Sequence, residues 1–238
     1  MNKKEKRLRW QLSMIDGFLM ILVIFVLMNG LVGTGLFPAE RLAGLLPGGA
    51  TIVNQMLVQQ MLQTVVMVGM VLLFLRLRGA TLDQIGWRPF KQPGWLILSA
   101  LLGVVTFFVM LYVSVWMVKL FPQWAQPQTA TELIMQAEGM WESTAVIVMV
   151  SVLAPVSEEL LFRGYIYHSM RQQNSMWFSV AAASLMFGCM HYDLFRLLPL
   201  TLVGVCLNLA AIRSDSLWGS IVMHGVWNFL MAAIVLAV

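Results

Sequence analysis

Two adjacent carboxylates followed by an arginine stand in an otherwise apolar stretch, Ala154-Pro155-Val156-Ser157-Glu158-Glu159-Leu160-Leu161-Phe162-Arg163-Gly164. Neighbouring residues on a helix point about 100° apart, so the two glutamates cannot share one role. Glu159 and Arg163 are four apart, in the Glu-before-cation order that stacks favourably on one face. This spacing predicts a structural Glu159–Arg163 pair and leaves Glu158 aimed elsewhere, available for chemistry. The blander alternative is a cluster of all three at the rim of a membrane span. Phe187 and His191 are again four apart and share a face. So do His224 and Asn228, with Gly225 between them permitting close approach of a neighbouring helix. Taken singly, either histidine is as readily a satisfied core or interfacial residue, and Phe187 is ordinarily packing.

Together these residue types make a hydrolase set. A carboxylate among apolar side chains is a better proton acceptor than one in water, so Glu158 can take a proton from a water molecule. Neutral His191 beside it can orient that water or relay the proton. His224 and the Asn228 amide offer donors for the oxyanion formed when water attacks a peptide carbonyl. Glu159, Arg163 and Phe187 then serve as support. The alternative is zinc held by Glu158, His191 and His224 with an open position for water. There is no H-E-x-x-H run and the three ligands come from separate helices, so no cofactor is assigned and zinc stays the alternative.

The elements that must position these groups are membrane spans. Hydrophobic residues make up 60% of the 238 positions and charged residues 11%, against roughly 25% charged in soluble domains. Apolar runs long enough to cross a hydrocarbon core about 30 Å thick occur near 14–37, 52–75, 95–120, 144–167, 175–192, 196–212 and 216–237. This predicts an all-α polytopic membrane helix bundle of about seven transmembrane helices, with room for an eighth, as a single membrane domain over 1–238. With a cytoplasmic N-terminus, the inside segments hold Lys3, Lys4, Lys6, Arg7, Arg9, Arg76, Arg78, Arg88, Lys91, Arg163, Arg171 and Arg213. Only Arg41, Lys119 and Arg196 fall outside, the asymmetry that the positive-inside rule requires. The first apolar run is too long for a signal-peptide core and lacks a small-x-small cleavage pattern, so it reads as a span. At a rise of about 1.5 Å per residue, Glu158, His191, His224 and Asn228 lie roughly 15, 22, 12 and 18 Å from their cytoplasmic span ends, one band near mid-membrane.

Other polar and special residues read more plainly. The loop Pro122–Ser143 carries Glu132, Glu138 and Glu142 without Lys or Arg and is placed outside; Thr81–Trp95 reads as a cytoplasmic interfacial turn. Asn54, Gln55, Gln59, Gln60 and Gln63 suggest a hydrogen-bonded helix–helix face. Trp95, Trp124, Trp141, Trp177 and Trp218 suit an aromatic belt, and His168 an interfacial role. Cys189 and Cys206 are expected as small packing residues, and the 19 methionines as adaptable lipid-facing or packing side chains.

The ordered set Glu158-Glu159-x-x-x-Arg163, Phe187-x-x-x-His191 and His224-x-x-x-Asn228 resembles the CAAX prenyl protease and bacteriocin-processing family, also called the CPBP or Abi family of intramembrane peptidases. Ala211–Trp218 also looks like the family's lead-in to its last motif, and the likeness covers about 144–229 as a catalytic core. The resemblance implies a glutamate-dependent hydrolase in which Glu158 and His191 activate water and His224 with Asn228 supports the oxyanion. It implies the lipid bilayer and a peptide or protein substrate as partners, lipidated or membrane-spanning, with no nucleic acid. The compact, Met-rich chain suggests a bacterial plasma membrane. Two rivals are a non-catalytic scaffold or sensor that binds a partner's transmembrane segment, and a proton-coupled carrier. The carrier is disfavoured because no inverted repeat is visible.

Overall fold

The structure is a computed structural model that describes residues 14–124 and 129–237. The basic start, Lys3 to Arg9, lies outside the described residues. Among the described residues all regular structure is helical. The long helices are α1 (Met14–Gly33), α3 (Ile52–Arg78), α4 (Gly94–Leu120), α6 (Gly139–Arg171), α7 (Met176–Cys189), α8 (Leu197–Ser214) and α9 (Leu217–Ala237), with short α2 (Ala39–Ala43) and α5 (Thr129–Met135) at their ends.

Six of these, all the long ones except α7, are long and apolar enough to cross a bilayer; α7 has only 14 residues. Large apolar side chains cover the outside of the bundle, among them Ile97, Leu101, Phe108 and Tyr112 on α4 and Phe18, Leu22 and Val26 on α1, all more than half exposed. Continuous apolar surface of that extent faces lipid. The chain is therefore an integral membrane protein, a polytopic bundle of about seven helices.

Local chemistry sets where the helices stop. The Thr51 hydroxyl accepts from the Asn54 backbone N–H at 3.2 Å to start α3. Gly79, left-handed at φ 66°, ends it by donating to the Arg76 carbonyl. The fourth predicted span was drawn from 144 to 167, whereas α6 runs from Gly139 to Arg171. Its first turn stays helical because Glu142 is not in a solvated loop. Its carboxylate is buried, accepting from the Thr51 hydroxyl at 2.6 Å and the Glu138 backbone N–H at 2.9 Å.

One end of the bundle is tied by ion pairs. Asp16 on α1 meets Arg78 at the end of α3. The α3–α4 turn, which includes a 3-10 turn at Asp83–Ile85, docks on the α8–α9 corner, where the Leu217 N–H donates to the Gly86 carbonyl at 2.8 Å. Arg88 Nε donates to the Asp215 carbonyl at 2.9 Å while its guanidinium pairs with the Asp215 carboxylate, which also meets Lys91 Nζ at 2.5 Å. The hydrogen bond from Lys91, then those from Arg88, hold the Asp215 carboxyl below the usual carboxylate range. A lowered native value means that the contribution is present above about pH 4 and is lost as pH falls through the folded value. Acidification below about pH 4 is thus expected to speed hydrogen exchange at the Leu217 amide, and Asp215→Asn should show the same speeding at neutral pH.

The core lies between α1, α3, α6 and α7, from Met20 and Ile24 through Val71 and Leu75 to Leu161, Tyr165, Ile166 and Phe187, all nearly inaccessible. On the other side α4 packs along α9 so closely that a Cβ on Gly103 would lie 2.6 Å from the Met223 carbonyl oxygen. Cys189 and Cys206 are both exposed on the outer surface rather than packed between helices.

Candidate active site

Helix α6 carries the paired glutamates, and it is not a regular α-helix. At Met149–Leu153 and Leu160–Ile166 it widens into π turns; the Ala154 N–H reaches back five residues to the Met149 carbonyl. Pro155 follows, and having no N–H it cannot satisfy the next carbonyl in that register, Val150. Asn228 on α9 takes over this role, its Nδ2 donating to the Val150 carbonyl at 2.8 Å. Beside it, Gly225 lets α9 press against the neighbouring Ser151 carbonyl, which a Cβ would approach to 2.6 Å. Because that oxygen is backbone, Gly225→Ala is expected to push α9 off α6. Overpacking of this kind costs about 1–3 kcal/mol; a lowered unfolding midpoint in detergent, with weaker activity, would be the readout.

The predicted Glu159–Arg163 pair is present and wholly buried, with Nη1 to Oε1 at 2.9 Å and neither side chain exposed. Arg163 was counted among the cytoplasmic loop cations, but the structure places it inside the span, so it does not belong to the loop charge. Three helices meet on it. Arg163 Nη2 donates to the Gly204 carbonyl on α8 at 3.3 Å, and the guanidinium lies 4.4 Å from the centre of the Phe187 ring on α7. On α9, His224 Nδ1 donates to the same Glu159 Oε1 at 2.8 Å. The carboxylate is an acceptor, so the hydrogen of a neutral His224 sits on Nδ1 and Nε2 is left to the other side.

There Nε2 lies 4.0 Å from Glu158 Oε2. Glu158 is turned away from Glu159, as the 100° offset of neighbours requires, and keeps 17% exposure. His191 stands just beyond the last residue of α7, its Nδ1 2.8 Å from the Phe187 carbonyl. A carbonyl only accepts, which fixes the proton on Nδ1 and makes Nε2 the ring's acceptor. Phe187 touches both histidines edge to face, at 4.8 Å from His191 and 5.9 Å from His224.

Glu158, His191, His224 and Asn228 all line one cavity of about 790 Å³. Sequence reasoning missed several of its features. The Trp227 ring stacks on His224 at 5.7 Å, and no spacing signal marks it. The predicted polar face of α3 divides. Asn54 donates to the Pro47 and Gly49 carbonyls and accepts from Trp141 Nε1, and Gln55 donates to the Ala50 carbonyl. Gln59, Gln60 and Gln63 instead line the cavity, and no helix–helix hydrogen bond forms there. His168 faces a separate polar cavity of about 190 Å³ near the α8–α9 corner, its Nδ1 on the Arg163 and Gly164 carbonyls. Among the described residues no three His, Cys, Asp or Glu side chains converge as a metal's ligands would. Both histidines donate from Nδ1 and keep Nε2 free, the tautomer in which a histidine can ligate zinc, but the carboxylate and the two rings as placed do not converge on one point, and no step of the mechanism is routed through a metal.

Comparison with known proteins adds an independent line. Residues 140–230 match the family described as type II CAAX prenyl endopeptidase Rce1-like. A similar curated protein is "Putative membrane peptidase YdiL" of Bacillus subtilis (strain 168), 29% identical over 82 residues, which are 34% of this chain and 34% of that relative. The chain thus spans about a third of the length of the curated relative it matches. No solved structure matches it. The matched segment takes in nearly all of α6, the whole of α7 and α8 and most of α9, with every residue of the buried pair and the cavity quartet, so it is over the site that the chain is similar to the CAAX prenyl protease and bacteriocin-processing family.

Proposed function

We propose that this protein is an intramembrane endopeptidase that hydrolyses a peptide bond of a membrane-associated protein or peptide. The observation that carries this is the meeting of Glu158, His191, His224 and Asn228, from three helices, on the wall of one cavity inside a membrane bundle. In this mechanism water attacks the scissile carbonyl carbon while Glu158 takes its proton, with Nε2 of His191 orienting the water. The oxyanion is met by Nε2–H of His224 in its imidazolium form, and by the second N–H of the Asn228 amide. The first N–H of that amide is held by Val150, which fixes where the second one points. The carbon–nitrogen bond then breaks, and the amine leaves with the proton first taken from water.

The bundle end bearing Arg76, Arg78, Arg88, Lys91, Arg171 and Arg213 is placed in the cytoplasm, which puts the N-terminus there also. The membrane is taken to be a bacterial plasma membrane.

The test is incubation of the purified protein in detergent with a pool of lipidated and unmodified peptides, with and without chelator, followed by mass spectrometry of fragments. Cleavage that survives chelation supports the glutamate mechanism. Loss on chelation supports zinc held by Glu158, His191 and His224. Absence of any cleavage counts against the peptidase and for a partner-binding role.

A further inference from the structure

Gln59, Gln60 and Gln63 put three primary amides on one face of a transmembrane helix, all turned into the cavity that holds Glu158 and His191. Gln60 Nε2 is buried with no partner, Gln59 has none in the protein, and Gln63 Nε2 has only the Met67 thioether at 4.0 Å. Across the same cavity, Trp227 Nε1 is likewise buried and unpartnered. Donors left open inside a membrane protein are costly unless something occupies them.

The spacing suits an extended peptide. Residues four apart on a helix are separated by about 6 Å along its axis. An extended peptide shows carbonyls on one side every second residue, about 6.6–6.8 Å apart. A chain laid along α3 therefore meets Gln59 and Gln63 close to its own period, with Gln60 beside them. A helical segment is held less well this way, because each of its carbonyls already accepts within the helix and offers only its second lone pair. The remaining wall includes Met56 and Met110, flexible thioether side chains that accept many shapes.

We propose that Gln59, Gln60 and Gln63 bind the backbone of an extended, non-helical substrate segment and present it to Glu158, so that recognition follows backbone conformation more than side-chain identity. This rests on the peptidase reading, and the test separates the two. The probes are two benzophenone-bearing apolar peptides of equal hydrophobicity, one interrupted by Gly-Pro and one continuously helical, plus a version of the first with esters in place of alternate amides. They are offered to the full chain carrying Glu158→Gln in detergent, and cross-links are mapped by mass spectrometry.

The expected result is capture of the Gly-Pro probe on residues 56–67, with little capture of the helical one. At about 0.5–1.5 kcal/mol per hydrogen bond, capture should fall about tenfold or more in the combined Gln59→Leu, Gln60→Leu, Gln63→Leu variant. The ester probe should fall similarly on unaltered α3, which needs no change to the protein. In the otherwise native chain the triple variant should raise KM with kcat nearly unchanged. Equal capture by the triple variant and of the ester probe, preference for the helical probe, or no capture overturns the proposal. Capture on α3 without cleavage by the native chain overturns the peptidase and leaves the peptide site; cleavage with kcat/KM unmoved in the triple variant does the reverse.

Discussion

Replacing Glu158 by Gln is expected to lower peptide hydrolysis by about 10²–10⁴-fold, the range that a positioned general base contributes. Glutamine keeps the size and planar shape of the side chain and removes its ability to take a proton. Among the described residues Glu158 has one charged contact, with His224 Nε2 at the long distance of 4.0 Å, and it faces the cavity. The unfolding midpoint in detergent should therefore stay where it is while fragment yield collapses. Full residual hydrolysis would remove Glu158 from the mechanism.

Arg163→Met should have the opposite signature, a large loss of stability. Breaking a buried pair by removing one partner costs about 3–5 kcal/mol, because the other charge is left without compensation. Here that charge is Glu159, fully buried, and the lost guanidinium also bridges α6 to the Gly204 carbonyl and covers Phe187. Adding Glu159→Leu removes the stranded carboxylate, so the double variant should recover much of the stability. It should not recover activity, since His224 Nδ1 then has no acceptor and the ring loses the bond that sets its proton and orientation. Thermal unfolding and hydrolysis measured on both variants give the contrast; a double variant as unstable as Arg163→Met would argue against the pair's electrostatic origin.

The spans, the Glu159–Arg163 pair and the four cavity residues were legible because helical period and the rarity of charge in apolar runs both act locally. Asn228 shows where that stops. Its spacing from His224 places it on the right face, but its bond to Val150 depends on the π turn at Met149–Leu153, which departs from the period used to read the chain. Pro155 was the visible sign, since an imino acid inside an apolar span frees a carbonyl that another helix must satisfy. Glu142 and the glutamines of α3 were misplaced for a different reason. Whether a polar side chain on a helix meets a loop, a neighbouring helix or a cavity is settled by tertiary packing, and one face can do all three in succession.

The short α7 has a consequence for the lipid itself. At about 1.5 Å per residue its 14 residues reach only about 21 Å, some 9 Å less than a hydrocarbon layer of about 30 Å. The turn beyond it carries the Asp193–Arg196 ion pair, and Phe195 and Arg196 open onto the cavity, which keeps irregular backbone and charge away from acyl chains. Leu194, 84% exposed, marks the outer edge of that turn. Next to His191 a bilayer of full thickness is mismatched to the protein, and mismatch of this kind costs fractions of a kcal/mol for each ångström. Lipids with shorter acyl chains are accordingly the less strained host, and membrane thickness becomes a variable acting directly on the wall that holds the site.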